Sequence, residues 1–253
     1  MAGIARAKAV IEARAKERHA RERAEYEARM AVWEAKAAQT GKQPGGRVPR
    51  PPVEGPLPTD QVNPTDEDSR VMPVAGGGFE QCYDAQAAVA AESLLVVATD
   101  VSRAPNDKRQ LVPILGKIAA LPDELGRIGE LLADSGYFGE GNVNACAAAG
   151  IAPTIAMGRQ AHYPPLAERF AMDPPAPENP TPVEAMRYRL RTKEGKARYA
   201  LCKQTPEPVL GIVKSVLGFR QFLLRGLDKV RGKWSLVTMA WNVKRMFALA
   251  GAR

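Results

Sequence analysis

Two carboxylates in this 253-residue chain stand where a side chain could do chemistry. Asp134 closes the apolar run 129–134 (GELLAD) and precedes Ser135-Gly136, so the pattern predicts a short strand that ends on an acid and turns sharply. A carboxylate at the carboxyl end of a strand faces the crevice where open α/β sheets bind ligands. The alternative is an Asp that merely starts a turn. Glu207 sits in TPEPVLGIVK, where Thr205 can cap a helix and Pro206 or Pro208 suits its first turn. Lys214 follows two helical turns later, on the same face and roughly 10 Å away. That is too far for an ion pair, but it suits one group holding a metal ion and the other a neighbouring phosphate. The alternative is a Glu favoured by the helix dipole and an exposed Lys.

The other reactive residue types point elsewhere. His19 and His162 have no plausible Ser or Cys partner, which argues against a His-based triad. Cys82, Cys146 and Cys202 lie far apart with no CxxC, which excludes a disulfide framework and a Cys/His zinc site and suits a reducing cytosol; Cys82 and Cys146 read as small buried fillers. The GGG at 76–78 does not join a strand to a helix, so it is no phosphate-binding loop. The run 218–226 (GFRQFLLRG) interleaves basic and aromatic residues; Phe219 and Phe222 are expected in the core, with Arg220 and Arg225 on the surface. Trp234, Trp241 and Met246 recur at helical spacing and are expected to pack.

Charge is unevenly placed. The chain totals +8, yet from Met186 onward sixteen Lys and Arg face three acids, a formal +13, which leaves −5 for the first 185 residues. A basic third on a mildly acidic remainder suggests a polyanion, most often nucleic acid; a solvated basic helical face is the alternative. With 45% hydrophobic and 25% charged residues, neither global disorder nor a coiled-coil rod fits. No apolar stretch is long enough to span a membrane, and no secretory leader is expected at the N-terminus.

The elements that must position these residues follow from composition and period. Residues 1–39 are rich in Ala, Glu, Arg and Lys and predict a charged, largely solvated helix. Residues 40–76 read as a Pro/Gly-rich linker without a packed core. From 77 to 253 the pattern predicts an α/β domain with a mixed sheet. Its strands fall at 79–89, 94–101, 129–134 and 151–157. Helices are expected from Asn106-Asp107 to about 121, at 140–149 before Gly150, and near 183–200, 206–217 and 234–250. A Pro-rich insertion occupies 158–182.

Taken together, DEDSRVM, GFEQCYDAQAAV, VVATDVSRAPNDKRQL, LADSGYFGEGNV and above all YALCKQTPEPVLGIVKSVLGFRQFLLRGLDKVRGKWSLVTMAWNVKRM resemble the DDE transposases of bacterial insertion sequences, of the IS4-like type. The resemblance covers roughly 66–253. It implies a ribonuclease-H-like domain that moves DNA by phosphoryl transfer with two Mg²⁺ or Mn²⁺ ions, held by three carboxylates. Asp134 would be the second acid and Glu207 the third, both metal ligands. Tyr199 would be the family's tyrosine, Lys214 would place a phosphate, and Lys203, Arg220 and Arg225 would contact DNA. The implied partners are transposon-end and target DNA, with a homo-oligomer among the allowed states, in the cytoplasm at the nucleoid. Two departures follow. Cys202 stands where the family has an arginine, which Lys203 replaces without the bidentate fork. The first acid, due on the first strand of such a sheet, is missing. On this reading the chain is the C-terminal part of a longer transposase, weakly active or inactive alone, or a non-catalytic DNA-binding remnant. Asp84 and Asp100 are conceivable replacements.

Overall fold

The computed structural model describes residues 2–74, 77–158 and 172–251, in two compact units divided between Val71 and Met72. His162 and the centre of the expected 158–182 insertion lie outside the described residues.

The first unit is built on α1 (Ala2–Thr40), the helix that the Ala/Glu/Arg/Lys composition predicts. One-turn pairs such as Arg23–Glu27, at 3.0 Å, line its exposed surface. The Pro/Gly-rich stretch expected at 40–76 has no strand or helix from 41 to 69, but a short strand, Arg70–Pro73, falls inside it. The stretch is nevertheless tied to α1 by polar bonds. Arg18 reaches both Asp60 oxygens, at 2.7 and 2.8 Å, and the Gly55 carbonyl at 2.8 Å. Arg14 donates to the Gln61 and Glu67 carbonyls. The Arg18 guanidinium holds the Asp60 carboxyl below the usual carboxylate range. A segment too poor in apolar residues for a core docks through guanidinium bonds, and Ala15 beneath it is buried.

The second unit is a mixed α/β structure. Its strands pair in separate two-stranded ladders rather than the one continuous sheet expected from the strand order. The expected strand 79–89 is broken at Tyr83 into β2 (Phe79–Cys82), which pairs with β1 (Arg70–Pro73), and β3 (Asp84–Val89). β3 runs antiparallel to β4 (Val96–Ser102), placing Gln86 opposite Asp100 and Asp84 opposite Ser102. β5 (Glu130–Ala133) and β6 (Ala152–Ile155) are parallel, joined by α3 (Glu140–Ala148), which Gly150 closes at φ +71°. Between β4 and β5, the expected helix from Asn106 divides into a 3₁₀ turn (Asp107–Arg109) and α2 (Leu111–Ala119), whose Leu111, Ile114 and Leu115 point inward.

Among the described residues, four helices follow where three were expected: α4 (Pro182–Arg189), α5 (Lys193–Gln204), α6 (Pro206–Ser215) and α7 (Leu227–Gly251). The break between α4 and α5 is set by Thr192, whose side chain accepts from the Gly195 N–H as a new N-cap. α4 starts with a full capping box between Thr181 and Glu184.

Two apolar clusters hold this unit together. One gathers Leu115, Val143, Cys146, Ile155 and Met186 around β5 and β6. The other gathers Val96, Val101, Val209, Val213, Trp234 and Trp241 between β3–β4, α6 and α7. Phe219 and Phe222 join the second cluster, Phe219 stacked on Trp234 at 6.1 Å. Leu223, directly after Phe222, is 82% exposed. Met246, expected to pack, is half exposed because it lies on the face of α7 opposite the two tryptophans. Cys146 is fully buried and Cys82 only partly so.

Candidate active site

Asp134 follows β5 directly and caps the 3₁₀ turn Ser135–Tyr137, its Oδ1 accepting the Gly136 N–H at 2.7 Å. Asp134 thus starts a turn, and its carboxylate is exposed just past the carboxyl end of β5. Glu207 lies in the first turn of α6, exposed, with Lys214 exposed in the last turn of the same helix. Thr205 does not cap this helix through its side chain as expected. It is 6% exposed, and its Oγ1 donates back to the Leu201 carbonyl at 2.7 Å, closing the α5–α6 corner instead.

Helix α5 lies between β5 and α6 in the chain's contacts and carries Tyr199 and Cys202. Arg198 pairs with Glu130 of β5 at 3.1 Å, and Tyr199 packs against the first cluster. Cys202 then stands where both acids act on it. Burial pushes its thiol up to about 11, reinforced by the negative charges of Asp134 and Glu207 and opposed by Lys203. Cys202 is thus a neutral thiol at physiological pH, a poor ligand for hard cations. Tyr199 is raised by burial and, more weakly, by Cys202 and Asp134. Lys203, Arg220 and Arg225 are exposed on the basic third.

Three residues that sequence reasoning passed over complete the surroundings. Gln86 of β3 is 4% exposed; its amide donates to Asp84 Oδ2 at 2.7 Å and to Asp107 Oδ1 at 2.8 Å, and accepts from the Tyr137 hydroxyl. Asp107 and Asp134 both close on Gly136. A Cβ there would lie 2.9 Å from Asp134 Oδ1 and 3.0 Å from Asp107 Oδ2. The only sequence signal for this network was an amide at an inward strand position within DAQAAV.

Asp84 feels this crowding. Burial raises its carboxyl to about 6, opposed by the Gln86 bond and reinforced by Asp107. Its folded value lies above its unfolded one, so the native state binds the extra proton between about pH 4 and 6, and stability falls as pH rises through that window. Asp84→Asn keeps an acceptor for Gln86 and gives Asp107 a donor. It is expected to stabilise the protein at pH 7 by on the order of 1 kcal/mol after allowance for partial solvent exposure, and to do so less at pH 4. Urea unfolding at the two pH values measures both effects.

Asp100, the other conceivable replacement acid, pairs with Lys117 and Arg231, each at 3.2 Å. It serves to join α2 and α7 to β4. Among the described residues, no group of three or more His, Cys, Asp or Glu side chains is arranged to hold a metal ion. The oxygen donors of Asp134 and Glu207 suit Mg²⁺ or Mn²⁺, which take few protein carboxylates and complete their shell with water and substrate phosphate.

Residues 176–247 match the family model of the transposase DDE domain. Over that stretch, less than a third of the chain, the sequence is similar to DDE transposases. The match covers α4 to α7 and includes Tyr199, Cys202, Glu207 and Lys214. No curated protein and no solved structure matches the chain. Among the described residues, no helix is long and apolar enough to cross a membrane.

The space around Gly136 gives a direct test of the site. Gly136→Ala meets only carboxylate ends, which can swing away, so the fold is expected to lose less than about 1 kcal/mol. The same swing displaces Asp134 from its Gly136 bond. The unfolding midpoint measures the first effect, and amide exchange at position 136 the second.

Proposed function

We propose that the chain works on DNA as an IS4-like DDE transposase domain of ribonuclease-H-like type, cutting and joining strands by metal-dependent phosphoryl transfer in the cytoplasm, at the nucleoid. One observation carries the reading: residues 176–247, which hold Tyr199, Glu207 and Lys214, match a transposase DDE domain. Asp134 lies outside that stretch, exposed at the carboxyl end of β5, and its charge and that of Glu207 both bear on the Cys202 thiol. Asp134 and Glu207 would hold the ions, which polarise phosphate and activate the attacking hydroxyl when bound. Around them the chain's own groups do the rest. The Gly136 N–H orients Asp134, the first turn of α6 supplies a dipole that favours the Glu207 carboxylate, and Lys214 offers a cation to DNA phosphate.

The test uses the full chain and supercoiled plasmid with Mn²⁺ or Mg²⁺. Because the first acid of the family is missing, only weak nicking is expected, lost on chelation and reduced at least about 100-fold further in Asp134→Asn and in Glu207→Gln. DNA binding is expected to weaken steeply with salt, and Lys214→Ala to lower that salt slope by about 1. A second reading, a DNA-binding remnant without catalysis, is favoured by the absence of a three-ligand cage among the described residues. It predicts the same salt dependence with no nicking under either metal. Failure to bind DNA at low salt would remove both.

A further inference from the structure

Gln86 is a buried amide whose every polar atom has a partner, and the partners are not ordinary core groups. Two are carboxylates, Asp84 at 2.7 Å and Asp107 at 2.8 Å; the third is the Tyr137 hydroxyl, and the Trp234 indole donates to the Gln86 backbone carbonyl at 2.9 Å. The carboxylates can only accept at neutral pH, so the amide nitrogen must face them and its oxygen must face the phenol. This orientation makes Tyr137 the donor, and burial with the Asp107, Asp84 and Asp134 charges keeps its phenol protonated.

Tyr137 is the last residue of the 3₁₀ turn whose first cap is Asp134. The turn is therefore fixed at both ends: by Asp134 Oδ1 on the Gly136 N–H at 2.7 Å, and by the Tyr137 hydroxyl on Gln86. Asp107, held by the same amide, comes with its Oδ2 within 3.0 Å of the point where a Cβ at 136 would sit, as Asp134 Oδ1 does at 2.9 Å. One side chain on β3 thus holds two groups that adjoin Asp134: the Tyr137 end of its turn and the Asp107 carboxylate beside Gly136. We infer that Gln86 is a positioning residue for Asp134, acting through Tyr137 and Asp107. The inference rests on the proposed role of Asp134 as a metal ligand only for its consequence, not for its geometry.

The experiment reads the geometry first. In the metal-free full chain, amide exchange of Gly136 reports its bond to Asp134. Tyr137→Phe removes one hydroxyl and keeps the ring, and Gln86→Leu removes the amide. Each is expected to speed Gly136 exchange about tenfold, the factor for one lost hydrogen bond. Val213→Ala, a cavity in the other cluster, controls for general destabilisation and is expected to leave Gly136 exchange unchanged after correction for global stability. If Gln86→Leu fails to fold, Tyr137→Phe alone decides. Unchanged exchange in Tyr137→Phe, or an equal change in Val213→Ala, would overturn the inference. The second readout is nicking. With the geometry as inferred, Tyr137→Phe is expected to lower kcat at least fivefold with KM for DNA unchanged. A wild-type chain that never nicks DNA sinks the proposed function yet leaves the Gly136 result standing. Altered exchange with kcat unchanged in Tyr137→Phe would overturn the catalytic consequence of the positioning.

Discussion

Trp234→Ala is expected to destabilise the second unit by about 4–5 kcal/mol, the largest effect of any single replacement considered. The residue is 4% exposed, stacks on Phe219 with centroids 6.1 Å apart and meets the edge of Phe222 at 6.4 Å. Truncation to alanine removes that area and leaves a cavity where α7 crosses β3 and β4. It also orphans the Gln86 carbonyl, which accepts the indole N–H at 2.9 Å. Trp234→Phe separates the two contributions. It keeps most of the apolar contact and loses the bond, so about 1–3 kcal/mol is expected, the usual cost of an unsatisfied buried acceptor together with a small cavity. Urea unfolding followed by far-UV circular dichroism would measure both; equal losses for the two variants would show that the indole bond contributes most of the effect.

Gly195→Ala should lower stability by at least about 3 kcal/mol, although helix propensity argues for the opposite sign. A glycine inside α5 costs roughly 1 kcal/mol relative to alanine, so a reading of propensity alone would call the change stabilising. Sterics decide otherwise. A Cβ at 195 would lie 1.8 Å from the Arg189 carbonyl oxygen and 2.6 Å from its carbon, and neither is the loose end of a side chain. Relief requires moving the α4–α5 corner, where Thr192 accepts the Gly195 N–H at 3.0 Å and donates to the same Arg189 carbonyl at 2.8 Å. Overpacking against side chains costs 1–3 kcal/mol, and against fixed backbone more. Because α5 carries Tyr199 and Cys202 beside Asp134, the folded fraction is also expected to show a changed Cys202 alkylation rate. A midpoint shift in urea tests the first claim and thiol labelling the second. A neutral or stabilising result would show that the corner has slack the structure does not display.

Much of the fold was legible because its signals are local. The composition of the first forty residues predicts α1, the apolar runs before Asp134 and after Gly150 predict β5 and β6, and Thr205-Pro206 marks the start of α6. Each depends on propensity, period or a Pro within a few residues. Errors came where a contact overrode the local pattern. The expected helix 183–200 breaks in two where Thr192 caps a new helix on the Gly195 N–H, and Thr205 turns back to the Leu201 carbonyl at the α5–α6 corner instead of capping α6. Met246, expected to pack with the tryptophans, comes five residues after Trp241, about 140° round α7, and so falls off their face.

The candidate site divides the same way. Sequence alone determined that Asp134 ends a strand, that Glu207 opens a helix two turns before Lys214, and that positive charge concentrates after Met186. These are properties of neighbours along the chain. Only the tertiary structure decided that Asp134 and Glu207 act on one thiol, that Asp100 is committed to Lys117 and Arg231, and that Gln86 joins residues 21 and 51 positions away. The physical reason is that a buried polar group must find partners wherever packing brings them. Sequence spacing constrains which side chains share a face, whereas the choice of partner is made by elements that meet only after the chain has folded.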